Sequence, residues 1–166
     1  MSNMTDYRVV VVGTDGSHLA EQTVARAAWI SKYEDADLVI VCVYSGLSQR
    51  TDARNLATTG GDPRTTTEVI ERGTASEAIA AAVAVAARQG ATVAAALTVE
   101  GEPAVALVKA ARERNAELLV IGATHDRSLA GRLLGTVGTE VVKQAPCDVL
   151  IVRPTGPEKQ HRSEAP

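Results

Sequence analysis

Phenylalanine is absent from this 166-residue chain, and its other aromatic residues are one tryptophan, Trp29, and three tyrosines, Tyr7, Tyr33 and Tyr44. A core without aromatic rings must be aliphatic, so small-residue helices packed closely on a Val-rich sheet are expected, and an aromatic platform for stacked bases is not. No excess of basic charge is present either: 17 Lys and Arg against 20 Asp and Glu give a net charge of −3. Phosphate backbones are held by clustered Lys and Arg, which argues against nucleic acid as a partner. Cysteine is limited to Cys42 and Cys147, in or beside apolar strand runs and without C-x2-C spacing, so reduced, buried thiols are expected over a disulfide or metal site. No apolar run is long enough to span a membrane, and Met1 to Tyr7 lacks a basic start followed by an apolar stretch. A cytoplasmic location with no membrane partner is the expectation.

Catalytic patterns are missing as well. No G-x4-G-K-[ST] loop, Ser-His-Asp arrangement or metal-ligand cluster is present, and Gly13-x2-Gly16 is not G-x-G-x-x-G. His18, His125 and His161 share no ligand spacing. The chain is therefore expected not to be an enzyme and to hold no catalytic or protein-only metal residues.

What is there reads as strands alternating with helices. At this length one domain is expected, burying about two-thirds of its unfolded surface. The Val run from Arg8 to Thr14 has the pattern of a strand buried on both faces. Ser17 is placed to cap a helix with Ala20, Val24, Ala27 and Ala28 at helical spacing and Glu21 in its first turn. Asp37 to Tyr44 reads as the second strand, and the polar segment 45–64 as a long loop. Thr65 with Glu68 predicts a helix start, continuing to Gly90 with a weak point at Gly73. Thr92 to Val99 predicts a strand with Val93, Ala95, Leu97 and Val99 on one face. Pro103 opens a helix whose inward stripe is Ala104, Leu107, Val108 and Ala111. Glu117 to Gly122, Thr136 to Ala145 and Asp148 to Arg153 complete the series as strand, helix and strand. Residues 154–166, with three prolines and no periodicity, are expected to be a disordered tail after a domain spanning 1–153. Alternation of this kind gives an α/β fold, a doubly wound parallel sheet with helices on both faces.

The stretch from Gly122 to Val137, GATHDRSLAGRLLGTV, follows the apolar strand Leu118 to Ile121. A strand that empties into glycine, a polar loop and then Gly135-Thr136 before a helix is a phosphate-cradle pattern. Glycine admits close approach, the first amides of a helix lack internal acceptors, and Thr136 adds a hydroxyl. Each residue also has a structural use: Gly122 as a strand-end turn, Gly135 for close packing, Thr136 as an N-cap. Asp15 in Gly13-Thr14-Asp15-Gly16-Ser17 is equally suited to setting a turn.

This stretch resembles the universal stress protein signature Gly-x2-Gly-x9-Gly-[Ser/Thr], with Gly122 as the first glycine and Gly135-Thr136 as the last pair. His125 stands where the second glycine would be. The opening Val9 to Ser17, the Gly101-Glu102-Pro103 turn and the closing Cys147 to Val152 are similar to the same family, so the resemblance covers about residues 7–153. It implies a five-stranded sheet of order 3-2-1-4-5, with an adenine nucleotide, ATP or cyclic AMP, held at Gly13, Thr14, Asp15, Val43, Gly122, His125, Gly135, Thr136 and Val137. Whether Mg2+ accompanies the phosphates stays open. His125 either fills phosphate space, making the chain a dimeric interaction module that does not bind nucleotide, or donates to a phosphate. The resemblance also implies a homodimer through the edge strand 149–152, whose unpaired backbone groups invite pairing.

Overall fold

The computed structural model of this chain describes residues 6–44, 63–123 and 135–153. In chain order it consists of β1 (Val9–Thr14), α1 (His18–Glu34), β2 (Asp37–Tyr44), α2 (Pro63–Arg88), β3 (Val93–Glu100), α3 (Pro103–Glu113), β4 (Leu118–Gly122), α4 (Thr136–Gln144) and β5 (Asp148–Val152). The five strands form one parallel sheet in the order β3-β2-β1-β4-β5, as the resemblance implies.

The Val run decides what is central. Val10, Val11 and Val12 have no exposure at all, because β1 lies mid-sheet with helices on both sides. Val10 and Val12 join Leu38, Ile40 and Val120 under Val24, Ala27 and Ala28 of α1 and Ala82, Val85 and Ala86 of α2. Val11 joins Val39, Val41, Leu119 and Ile121 under Ala104, Leu107, Val108 and Ala111 of α3 and Val141 of α4. Alanine stripes let the helix backbones lie close to β-branched strands, filling the volume that aromatic rings would otherwise occupy.

Caps fix the helix starts. Ser17 Oγ accepts from Ala20 N–H at 3.2 Å. The carboxylate of Glu102 accepts from Ala104 and Val105 N–H at 3.3 and 2.9 Å, with Pro103 in the first turn. Helix α2 begins at Pro63, two residues before Thr65. Proline's fixed φ and missing donor suit a first turn, so the capping-box pattern falls inside the helix and the expected loop ends sooner than Arg64. The remainder of that loop, 45–62, and the expected tail, 154–166, lie outside the described residues.

β3 departs from the expected single face. Leu38 pairs with Val93 but Val39 pairs with Ala95, a register irregularity that leaves Ala94 extra. Val93 therefore packs with the α1 and α2 cluster, while Ala95, Leu97 and Val99 pack with that of α3 and α4. An added residue in a strand reverses every side chain on one side of it.

Candidate functional site

The sheet splits where its order reverses. β1 and β4 pair only as far as Val12 and Val120. Beyond that point Thr14 continues against Cys42 of β2, and Gly122 against Val152 of β5. The two strand ends diverge and leave a crevice at their carboxyl ends, the place where such sheets bind ligands. A cleft of about 470 Å3 occupies it, lined by Gly13, Thr14, Asp15, Val43, Gly122 and Val137 among others. Gly135 and Thr136 stand directly before Val137 at the start of α4 and are not among the lining residues. His125 lies outside the described residues.

Residues that the sequence reading did not anticipate complete the walls. Val41, Leu107 and Ile121 form apolar surface with Leu19 and Ala20, and Ser17 and Thr23 add hydroxyls. Leu107 was legible as part of the α3 stripe, but not that this stripe overhangs β1. A Cβ on Gly13 would lie 3.1 Å from Leu107 Cδ2, so glycine there permits the α3 approach. At Gly122 an added Cβ would lie 2.9 Å from Thr23 Oγ1 and 3.2 Å from Leu19 Cγ. Gly122 is thus required by the packing of α1 across the end of β4, and its backbone is left exposed at the cleft.

Asp15 sets the turn. Its Oδ1 accepts from Ser17 N–H at 2.9 Å, and Thr14 Oγ1 accepts from Gly16 N–H at 3.4 Å. Gly16 has φ of 77° and a Cβ there would meet Ala78 Cβ at 3.1 Å, so both backbone and space call for glycine. The Asp15 carboxylate remains exposed at the cleft, and it reaches Cys42 electrostatically. Burial first, and Asp15 second, push the Cys42 thiol above its ordinary pKa. Cys42 is buried, whereas Cys147 is only half-buried, less than expected; both are free thiols.

The starts of α1, α3 and α4 all reach this cleft, through Ser17, Pro103 and Val137 with Gly138. The first is capped by Ser17 and the second by Glu102. The third is different. α4 has Gly135 at its N-cap with no side-chain hydrogen bond, so Thr136 is the first helical residue and not the cap. Among the described residues no side chain caps its first-turn amides, and the positive end of the helix dipole lies with them. Among the described lining residues Asp15 is the one charged group, and no cluster of three metal-ligating side chains occurs among the described residues.

A sequence model of the universal stress protein family matches residues 6–153. Universal stress protein Rv1636 of Mycobacterium tuberculosis is 40% identical over 154 residues, covering 92% of this chain and 100% of that protein. A universal stress protein crystallised in complex with cAMP is 32% identical with a TM-score of 0.65, over 90% of this chain and 98% of its own. UspA of Lactobacillus plantarum, at 22% identity, shares the fold with a TM-score of 0.73 over 90% of this chain and 99% of its own.

Proposed function

The chain belongs to the universal stress protein family, and from that premise we propose that it holds an adenine nucleotide in the switch-point cleft as a regulatory ligand in the stress response. The observation that carries this reading is the start of α4, which no described side chain caps, beside a cleft whose other helix starts are already capped. Backbone amides there receive the phosphate, the aliphatic walls take the base, and the Asp15 carboxylate is placed for a ribose hydroxyl or adenine amine. Binding without turnover is part of the proposal, as is a cytoplasmic location. The nucleotide acts by favouring one surface conformation that a partner reads.

Cyclic AMP fits this cleft better than ATP. Asp15 brings negative charge to the cleft wall, which repels a ligand with one phosphate charge less than one with three phosphates. A relative 32% identical was crystallised with cAMP, which supports the same choice. With ATP, Mg2+ would be held by Asp15 and the phosphate oxygens together, since a single carboxylate is a weak site for this ion.

The test is Gly135→Asp. An aspartate at the N-cap satisfies first-turn amides and suits the helix dipole, so thermal stability holds or rises by a few tenths of a kcal/mol. The same carboxylate occupies the anion position. Calorimetry with cyclic AMP and ATP on nucleotide-free protein is expected to give binding by the wild type, tighter for cyclic AMP, and none by the variant. Unchanged affinity in Gly135→Asp moves the phosphate elsewhere, and failure of the wild type to bind either ligand leaves the nucleotide-free interaction module in its place.

A further inference from the structure

Two of the chain's few aromatic residues are on the outside. Trp29 is 46% and Tyr33 71% exposed on α1, their ring centroids 4.6 Å apart. The guanidinium of Arg26 lies over the Trp29 ring at 6.0 Å from its centroid, within cation–π distance. Beside them an open groove of about 350 Å3 runs between α1 and the end of β5, bordered by Arg26, Trp29, Gln89, Val152 and Arg153. It shares no lining residue with the nucleotide cleft. Aliphatic burial alone gives no reason to spend the one tryptophan here, where water still reaches half of it.

We propose that this groove docks an extended, acidic segment of another protein. Trp, Tyr and Arg are the residues that concentrate binding energy at interfaces, and here they occur together. The charge argument selects the partner. Two arginines border the groove and no carboxylate does among the described residues, although the chain as a whole is acidic at −3. The neighbouring acid, Glu21, is turned to Arg88 at 3.5 Å. In an extended segment alternate side chains share a face, so carboxylates can meet Arg26 and Arg153 while an apolar side chain between them covers Trp29 and Val152. A second copy docked groove to groove would set these arginines against their own kind, which electrostatics disfavours.

Trp29 is the only tryptophan, so its emission reports the groove directly. A short, end-blocked peptide Glu-Ser-Val-Ser-Glu, which puts both carboxylates and the valine between them on one face, is expected to shift the emission to shorter wavelength and saturate, while the same peptide with Lys for Glu does not. Arg26→Glu with Arg153→Glu, both exposed positions, is expected to weaken the Glu peptide by about tenfold or more and to admit the Lys peptide. No shift with the Glu peptide, or equal shifts with both, overturns the proposal. It is also overturned if Arg26→Glu changes the oligomeric state seen by sedimentation, which assigns the groove to a second copy. A change in the peptide-free protein on Glu158→Gln with Glu164→Gln assigns it to the chain's own carboxyl-terminal residues, with the same consequence.

Discussion

At Gly122 a motif glycine carries a packing requirement that the motif alone does not reveal. A Cβ there would lie 2.9 Å from the Oγ1 of Thr23, a buried hydroxyl that donates to Leu19 O at 2.7 Å. Neither group can move away without breaking the bond or shifting α1. Gly122→Ala is therefore expected to cost about 1–3 kcal/mol through overpacking, read from urea unfolding. Removing the hydroxyl with Thr23→Ala clears the nearest clash, so the double variant is expected to be at least about 0.5 kcal/mol more stable than the sum of the single losses. Strict additivity would mean that Gly122 is not held by α1. The thiols give a second outcome at this scale. Burial, then the Asp15 carboxylate, raise the pKa of Cys42, and burial, then Asp148 and Glu117, raise that of Cys147. Both then react slowly near neutral pH, and exposure orders them. A disulfide-exchange reagent is expected to modify half-buried Cys147 before Cys42.

Among the elements, α2 carries a removable weakness. Gly73 lies inside the helix, is exposed, and a Cβ there meets nothing within 4 Å. Gly73→Ala is expected to add about 0.5–1 kcal/mol and to raise the melting temperature by about 2–4 °C; a loss would require the glycine to have a role in an alternative state. This position was legible in the sequence, as were the strand and helix order, Ser17 as a cap and the α3 stripe, because all depend on local pattern. The bulge at Ala94 was not legible, since it arises from how β3 registers on Leu38 and Val39. The capping role of Glu102 was not legible for another reason: glutamate is an uncommon N-cap, and only the backbone at 102 brings its carboxylate to Ala104 and Val105. The site divides in the same way. Gly13, Thr14, Asp15, Val43, Gly122 and Val137 were readable from the ends of strands and one motif. Leu19, Thr23 and Leu107 were not, because they reach the cleft from helices that cross it.

For the whole molecule, the sheet order that opens the cleft also leaves β5 on an edge. Its apolar residues Val149, Leu150, Ile151 and Val152 are each only half-buried, and among the described residues no strand lies beside one side of its backbone. Such an edge is a hazard unless covered, and two-fold pairing covers it with the same surface on both copies. We therefore expect a homodimer through β5, with Arg26 and Trp29 of the α1 groove left outside the pairing. Sedimentation is expected to show a dimer at tens of micromolar protein, a concentration range that corresponds to about 6 kcal/mol of association free energy. Val152→Lys puts a cation on the edge and is expected to shift the protein to monomer at that concentration, with the proposed nucleotide binding unaffected because residue 152 does not line the cleft. A wild-type monomer under these conditions would leave β5 to be covered by something other than a second copy. A dimer that persists in Val152→Lys would place the interface on another face.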